Sequence, residues 1–472
     1  MKCKPFSEFL AVPPRNGLTK PKKVRGQGFK MVNMGELFKY SRMNNIPMDR
    51  VPLTDKEQQS SMLEAGDLLF ARQSLVREGA GKCSIFLGDS ESVCFESHLI
   101  RCRLDRTAHN PLFYYYYFAS PQGKVSMDTI IEQGAGAAGI RGSDLTKLML
   151  PQYPLDFQNR VASILDNVDS KIQLNHQINH TLEQMAQAIF KSWFVDFEPV
   201  KAKIAAREGW YALQPGNESA SPVCYAGELA DQPINFDLDT YMNHAAMQAI
   251  SGKDAEQLAR MQVEKPEEYA ELYATAELFP SAMQDSELGE IPEGWEVNQI
   301  GDVIQRLPVG KKYSQKTVSE VGRVPVLDQG KSGIIGYHDD EPGIRACTED
   351  PVIVFANHTC YMRVIMHDFS AIQNVLPFKG VSLNIYWLFF ATVGKQSFVE
   401  YKGHWPDFVI KEIVVPNGLL ADRFGNLVAN LMVSQFSNEL QNMSLVGTRD
   451  TLLPKLLSGE LSVAVIESEV EA

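Results

Sequence analysis

Polar residues that can hydrogen-bond to the edges of DNA bases follow apolar segments at matching places in the two halves of this 472-residue chain. Reading a base edge requires donors and acceptors with the reach of Arg, Asn, Gln or Ser side chains. Taken singly, each of these residues is an ordinary polar loop residue. Because the pattern occurs in both halves, we interpret the set as candidate base readers. They are Arg72, Gln73, Ser97 and His98 in the first half and Asn357, His358, Gln373 and Asn374 in the second. Arg141 and His404, in the loops just before two long predicted helices, complete the set.

Basic residues on segments that contain glycine and proline provide a second kind of chemistry. Such residues can lie along phosphates and supply affinity without sequence information. The stretch 9–35 holds six Lys or Arg and no acidic residue. The candidate phosphate contacts are Lys20, Lys22, Lys23 and Arg25, with Lys311, Lys312 and Lys316 in the second half.

The net charge of −13 does not argue against a nucleic-acid partner, because the acidity is local. Residues 218–290 contain 15 Asp or Glu and 3 Lys or Arg, a net of −12, which leaves −1 for the rest of the chain. The distribution of charge, and not its total, decides which surfaces attract a polyanion.

Motifs for catalysis are missing from the sequence. No GxxxxGK[ST] loop for nucleotide phosphates is present. The run Asn110-Pro111-Leu112-Phe113 is similar to the Asn-Pro-Pro-aromatic motif of adenine methyltransferases, but Leu112 replaces the second proline, and we interpret the run as the start of a strand. His176 and His180 have no third ligand nearby in sequence and favour a solvated helix face over a metal site. We therefore predict a binding protein without catalytic or metal-binding residues.

The elements that would position the candidate residues occur twice. Apolar runs such as 67–72 and 93–102 predict strands, and 111–120 predicts a buried strand or helix. Four short matches keep their order while their offset falls from 283 to 265, as short deletions in surface loops would produce. The sequence thus predicts two domains of mixed sheet and helices, of the α/β or α+β class. The matches are 67–73 with 350–358, 97–99 with 373–375, 118–120 with 390–392 and 150–151 with 415–416.

Two long helices, at 157–197 and 422–463, are related by an offset of 263. Their apolar residues alternate steps of three and four, as in a coiled-coil seam, and in the first helix we assign Ile164, Ile178 and Met185 to that seam. We expect an antiparallel pair in which Asn175 and Asn438 select the register; the alternative is that each helix packs on its own domain. The candidate seam and partner-interface residues are Val161, Val168, Asn175, Leu182, Ile189, Phe190, Trp193, Phe194, Phe424, Leu431, Asn438, Leu445 and Leu452.

The segment 201–287 is acidic, and its part 254–278 predicts a helix broken at Pro266. This composition fits a spacer or a partner-docking surface, and we favour the spacer. Seven cysteines without a CxxC pair predict reduced thiols in a cytoplasmic protein. The most apolar window, 381–394, is too short to span a bilayer, so no membrane association is expected.

Four stretches resemble a type I restriction–modification specificity subunit: LEQMAQAIFKSWFVDFEPV, QNRVASILDNVDSKIQLN, LGEIPEGWEVNQIGDV and TRDTLLPKLLSGEL. The resemblance covers nearly the whole chain. It implies two target-recognition domains, each reading one half of a split DNA sequence, and two long conserved helices that pair as an antiparallel coiled coil. The expected parts are a first recognition domain at 1–155, a first conserved helix at 156–200, an acidic helical connector at 201–287, a second recognition domain at 288–416, a second conserved helix at 417–463 and an acidic tail at 464–472.

The resemblance also implies the partners. They are double-stranded DNA, two methyltransferase (modification) subunits around the helices, and restriction (endonuclease and translocase) subunits. S-adenosylmethionine, ATP and Mg would be bound by those subunits and no cofactor by this chain, which has no catalytic centre in the family. The recognition domains resemble the family only in outline, so base-contacting residues are not transferred from it.

Two other functions fit parts of the sequence. A standalone two-headed DNA-binding regulator would share the two readers, but it would not need the aromatic run at 190–197, which is typical of a core or a protein interface. A fused methyltransferase–specificity enzyme would need a cofactor motif.

The length of the first helix suggests how far apart the two readers are held. The seam 161–189 has 29 residues, or about 42 Å of helix, against roughly 34 Å for one turn of B-DNA. This length predicts that the paired helices separate the two recognition domains by about one DNA turn. The target would then contain a spacer whose bases are not read.

Overall fold

The computed structural model describes residues 2–134, 136–212, 237–330 and 333–461. The chain divides into two compact units, unit 1 (Met1–Asn175 with Leu440–Ala472) and unit 2 (His176–Glu439). In the described ranges no helix is long and apolar enough to cross a membrane. The predicted acidic tail at 464–472 lies outside the described residues.

Unit 1 is built on a five-stranded sheet whose central strand is Asp67–Ala71. Leu68 and Phe70 pack against the helix Pro111–Ala119 on one face, whereas Leu69 and Ala71 belong to a separate cluster. All five residues of the strand are buried because both of its faces are covered, which explains the continuous apolar run. The strand order is Leu10–Asn16, Leu99–Leu104, Asp67–Ala71, Cys83–Gly88 and Arg42–Asn44.

The tyrosine-rich run forms the buried helix Pro111–Ala119. The Asn110 side chain accepts hydrogen bonds from the backbone N–H groups of Leu112 and Phe113 and caps the helix. The interpretation of this run as the start of a strand is therefore wrong. Asn followed by Pro at the first helical position is a signal for a helix N-terminus, and it outweighs the β-propensity of the tyrosines.

The remaining elements of unit 1 are short. The strand Ala138–Gly139 pairs with both Glu132–Gln133 and Gln73–Ser74. A three-stranded sheet and a strand pair complete the strands, namely Asp49–Val51, Phe29–Val32 and Val93–Phe95, and Cys3–Pro5 with Met149–Pro151. The other helices are Met34–Lys39, Asp55–Ser61, Pro121–Asp128 and Gly142–Leu145, with 3-10 turns at Phe6–Phe9, Lys22–Val24 and Arg77–Gly79.

Unit 2 contains a four-stranded sheet with the same kind of central strand, Val352–Ala356. Ile353 and Phe355 pack with Trp387 of the helix Ile385–Thr392, which Asn384 caps as Asn110 caps its helix in unit 1. The sheet order is Ile304–Arg306, Val375–Gly380, Val352–Ala356 and Met362–Ile365. The other strands and short helices are Ile334–His338, Val324–Leu327, Ser370–Ala371, Met283–Ser286, Gly289–Pro292, Glu296–Gln299, Glu412–Val415, Ile300–Val303 and Trp405–Val409.

The long helices are Leu155–Phe194 and Gly418–Ser458. In unit 1, Arg449 donates a hydrogen bond of 2.8 Å to Asp169, and Asn175 contacts Asn442. In unit 2, Asn438 contacts Asn179, and the rings of Phe190 and Phe424 lie 5.5 Å apart. Because residue numbers rise along one helix as they fall along the other, the helices pair antiparallel in each unit, and the predicted helix pair is confirmed.

The seam differs from the predicted one by one residue at three places. Ile178 and Met185 are 37% and 48% exposed, whereas Asn179 and Ala186 are 7% and 0% exposed. Leu165, fully buried, likewise takes the place assigned to Ile164. The inward-facing positions alternate steps of four and three without interruption, as a heptad seam requires. They are Val161, Leu165, Val168, Ile172, Asn175, Asn179, Leu182, Ala186, Ile189 and Trp193 in the first helix.

The second helix shows the same inward-facing positions shifted by 263 residues. The exposed Leu427 corresponds to Ile164, and buried Val428 corresponds to Leu165. One spacing therefore serves both halves of the repeat. The equivalent positions are Phe424, Val428, Leu431, Gln435, Asn438, Asn442, Leu445, Arg449, Leu452 and Leu456.

Buried amides interrupt the apolar seam in both units. In unit 1, the Nδ2 of Asn175 donates to Asn442 Oδ1 and Gln441 Oε1, both at 2.8 Å. In unit 2, Asn438 Nδ2 donates to Asn179 Oδ1 at 2.8 Å. A buried amide that is hydrogen-bonded in one register loses its partner when the helices slip, so these pairs support the predicted role of the asparagines in fixing register.

The described residues of the acidic segment form helices that pack on one another. They share a small core of Ala246, Met247, Leu258 and Ala276. Lys203 is buried and donates a hydrogen bond of 2.6 Å to the carbonyl oxygen of Phe279. The described part of the segment is thus folded, and the predicted break at Pro266 separates two of its helices. The helices are Glu198–Ala212, Leu238–Ser251, Ala255–Glu264 and Pro266–Glu277.

Replacing Lys203 by Met is expected to remove a pH-dependent part of the stability. Burial lowers the pKa of Lys203 to about 8. Between this value and the pKa of an unfolded lysine, about 10.5, the unfolded chain binds a proton that the folded chain does not, so stability rises with pH. The wild type should therefore gain on the order of 2–3 kcal/mol over this range relative to Lys203→Met. Urea unfolding at pH 7.5 and 10.5 measures the difference. Exposed Lys201→Met is the control, and equal pH dependence of both variants would contradict the prediction.

Candidate nucleic-acid interface

The candidate readers of unit 1 meet at one edge of its main sheet. The backbone N–H of Arg72 donates to the His98 carbonyl at 2.8 Å, directly after paired residues Ala71 and Leu99. The N–H of Ile140 donates to the Arg72 carbonyl at 2.9 Å, which brings the neighbouring Arg141 to this edge. We call Thr19, Arg72, Gln73, Ser97, His98 and Arg141 the unit 1 edge.

Thr19 is the member of this edge that the sequence analysis missed. Its hydroxyl donates to Ser97 Oγ at 3.0 Å. The approach depends on Gly17, where a Cβ would lie 2.0 Å from the Phe95 carbonyl oxygen. A glycine two residues before a polar residue in a basic stretch is the only signal in the sequence, and it does not name the contact partner.

The basic residues of unit 1 divide into two kinds. Lys20 pairs with Glu57 at 2.9 Å and Arg25 with Asp49 at 3.0 Å, so both have carboxylate partners within the unit. The pKa of Glu57 is lowered to about 2 by hydrogen bonds from Thr54 and Lys20. Lys22 and Lys23 are exposed on the turn Lys22–Val24 and have no partner within the described ranges. These two lysines are the cations of the set that are free to contact a phosphate.

The candidate readers of unit 2 occupy the equivalent edge. The N–H of Asn357 donates to the Asn374 carbonyl at 2.9 Å, directly after paired residues Ala356 and Val375. Asn374 Nδ2 lies 3.0 Å from Nε2 of His358, and the His358 ring stacks on Tyr401 with centroids 4.9 Å apart. The same backbone hydrogen bond between strand ends thus positions different side chains in the two units. We call Asn357, His358, Gln373, Asn374 and Tyr401 the unit 2 edge.

Two predicted readers of unit 2 have structural partners. His404 is fully buried, with its ring nitrogens near Gln396 Nε2 and the Glu400 carbonyl, so it does not face a ligand, and its assignment as a base reader is not supported. Asn357 Oδ1 accepts a hydrogen bond from the N–H of Trp405 at 2.8 Å. Both residues therefore hold the loop that presents Tyr401, which is 83% exposed and was missed by the sequence analysis.

The basic residues of unit 2 repeat the division seen in unit 1. Lys311 pairs with Asp340 at 2.6 Å. Lys312 and Lys316 are exposed and have no partner in the part of unit 2 that the structure describes. In the described ranges of the whole chain, no group of three or more His, Cys, Asp or Glu is arranged to hold a metal ion.

The aromatic end of the first long helix is part of the unit 2 core. Trp193 and Phe194 are 2% and 5% exposed and contact Phe279 and Phe424 edge-to-face. Phe190 is half-buried beside them. Of the two roles predicted for this run, the structure shows the core for Trp193 and Phe194. Exposed apolar side chains on the same helix in unit 2 are instead Ile178 and Met185.

Comparison with known proteins finds a family model that matches part of this chain. Residues 16–184 match the family model described as the type I restriction modification DNA specificity domain. This range contains most of unit 1 with its edge. This match confirms the resemblance to specificity subunits found in the sequence.

Individual relatives match over most of the chain. The specificity subunit of the type I restriction enzyme HindI from Haemophilus influenzae is 26% identical over 86% of this chain and 88% of its own. The MjaIX specificity subunit from Methanocaldococcus jannaschii is 22% identical over 74% of this chain and 69% of its own. The solved type I S subunit from M. genitalium aligns over 96% of this chain and 95% of its own, with 13% identity and a TM-score of 0.46.

Proposed function

We propose that this chain is the DNA-recognition subunit of a type I restriction–modification complex, and that its two edges read the two halves of a split target. The observation that carries the proposal is the repeated strand-end hydrogen bond, Arg72 to His98 in unit 1 and Asn357 to Asn374 in unit 2. One backbone arrangement presents different donors and acceptors in each unit, and a different set of donors and acceptors selects a different base sequence.

Replacing Arg72 by Gln is expected to change one half of the target and leave the other half unchanged. Arg72 has no side-chain partner among the described residues, and a guanidinium can bind guanine with two hydrogen bonds. Loss of such a pair costs about 1–3 kcal/mol, or roughly 5- to 150-fold in affinity. Methylation mapping of DNA treated with the reconstituted complex measures the altered half-site.

The control for this experiment is Arg345→Gln, which removes an exposed ion pair with Glu341 in unit 2. It should leave the methylation map as in the wild type. Relaxation of both half-sites by Arg72→Gln, or of neither, would contradict the assignment of the unit 1 edge to one half-site.

The partners proposed are double-stranded DNA, two methyltransferase subunits and restriction subunits. Ile178 and Met185 are exposed at a spacing of two helical turns, and apolar side chains on one helix face are typical of a protein interface. We place a methyltransferase subunit on this face. S-adenosylmethionine, ATP and Mg belong to the partner subunits in this proposal, the chain itself supplies recognition without catalysis, and the complex acts in the cytoplasm.

Co-expression with a methyltransferase subunit tests the proposal against a standalone DNA-binding regulator. A specificity subunit is expected to co-purify with the methyltransferase and to direct methylation to one bipartite sequence. Tight, sequence-specific DNA binding by the isolated chain, with no association with the methyltransferase, would instead identify a regulator.

A further inference from the structure

Two arginines lie directly opposite each other on neighbouring strands of unit 1. Arg15 of the strand Leu10–Asn16 pairs in register with Arg101 of the strand Leu99–Leu104. Directly paired residues of antiparallel strands point to the same face, and like charges in these positions repel each other. The arrangement is destabilising for the protein alone unless an anion lies between the two guanidinium groups.

The nearby carboxylates do not resolve this repulsion. Asp67 accepts two hydrogen bonds from Arg103, at 2.7 and 2.8 Å, and Glu64 is also bonded to Arg103. Arg15, Arg101 and Arg103 together with Asp67 and Glu64 therefore keep one uncompensated positive charge. Burial lowers the pKa of the Arg101 guanidinium; Arg103 and Arg15 lower it further, whereas Asp67 and Glu64 oppose the shift.

Arg101 itself is an incompletely bonded buried group. It is 8% exposed, and its Nε has no hydrogen-bond partner within the described residues. Buried nitrogens without a partner are rare because they forfeit their hydrogen bonds to water, and a charged group forfeits the most. Arg15 is exposed and has no partner in the described part of unit 1. The pair thus combines a buried donor with an exposed one.

The arginine pair lies on the strands that carry the unit 1 edge. Leu99, which follows His98, pairs with Ala71, and Ile100 pairs with Asn16 next to Arg15. The N–H of Ser97 donates to the Leu18 carbonyl at 2.9 Å. At about 3.4 Å per residue along a strand, Arg101 is roughly 10 Å from His98. A DNA backbone beside the edge would reach the pair.

We propose that Arg15 and Arg101 bind a phosphate group of the DNA backbone and seat the duplex beside the unit 1 edge. This inference rests on the proposed DNA-recognition function. A phosphate between the two guanidinium groups removes their repulsion and supplies oxygen acceptors for their free N–H groups. Because phosphate contacts position a duplex without reading it, the pair contributes affinity on every sequence and leaves the choice of target to the edge.

The test compares wild type with Arg15→Gln in complex with the methyltransferase. The variant should fold at least as stably as the wild type, because it removes a like charge from an exposed position. DNA affinity measured across a salt series should show a slope of log K against log salt reduced in magnitude by about 1, with an unchanged methylated sequence. Lys147→Gln, an exposed cation of the same unit paired with Asp144, should keep the wild-type slope.

A second measurement uses inorganic phosphate as the probe. Replacing chloride by phosphate at equal ionic strength should raise the Tm of the wild-type complex more than that of Arg15→Gln, while Lys147→Gln follows the wild type. A wild-type complex that binds its target with a salt slope equal to that of Arg15→Gln would overturn the phosphate site alone. A wild-type complex that shows no sequence preference at all would overturn the proposed function.

Discussion

Inserting seven residues into each long helix, after Gln177 and after Leu440, is expected to lengthen the unread spacer of the proposed split target by about three base pairs. Seven residues add about 10.5 Å of helix, and the rise of B-DNA is about 3.4 Å per base pair. A heptad preserves the four–three seam, so the inward-facing positions on either side of the insertion stay inward-facing. The insertion points lie between Asn175 and Asn179 in the first helix and between Asn438 and Asn442 in the second. Methylation mapping of the host genome gives the spacer length directly.

Two further insertions distinguish an effect of helix length on the spacer from a general loss of structure. An insertion of four residues at the same two points turns the seam positions beyond it away from the partner helix. We expect this variant to lose both stability and methylation activity. Seven residues after Glu287, in the turn between Met283–Ser286 and Gly289–Pro292, lengthen the chain without touching a long helix and should leave the spacer unchanged. A spacer of wild-type length in a stable variant with the seven-residue insertions would contradict the prediction that helix length sets spacer length.

The sequence predicted the helix pair but misplaced part of its seam for a physical reason. An apolar pattern selects Ile178 and Met185, since these are the hydrophobic residues of their turns. The helices instead place Asn179 and Ala186 inward. Asn179 can occupy the seam because its side-chain oxygen accepts a hydrogen bond from Asn438, and Ala186 is buried in a cluster that includes Phe424 of the other helix. Neither compensation can be read from one helix alone.

The residues of the two edges that directly follow a strand could be predicted, because the order of apolar runs along the sequence places them there. Matching apolar runs placed Arg72 and Asn357 after equivalent strands, and the shared hydrogen bonds agree with that match. Side chains that reach the edge from distant segments were not predictable. Thr19 meets Ser97 across 78 residues of sequence, and Tyr401 stacks on a histidine 43 residues earlier in the chain. His404, predicted to read a base, is fully buried, with its ring nitrogens near Gln396 Nε2 and the Glu400 carbonyl.

Replacing Trp193 by Ala is expected to reduce the free energy of unfolding by about 3–5 kcal/mol. The indole is 2% exposed and packs against Phe279 and Phe424, so its removal leaves a cavity in the unit 2 core. Urea unfolding followed by circular dichroism measures the loss. If Trp193 were instead an interface residue, the variant would be as stable as the wild type and would fail only in binding the methyltransferase.

Met185→Glu is the opposite case on the same helix. Met185 is 48% exposed, so a charge there should change stability by no more than about 0.5 kcal/mol. The same charge would be desolvated under a methyltransferase subunit, and we expect the complex to be lost in co-purification while the free chain stays folded. His180→Glu places an equal charge on another face of this helix and should retain the methyltransferase. Loss of the complex with both variants would indicate a long-range electrostatic effect, and retention with both would remove the methyltransferase from the face formed by Ile178 and Met185.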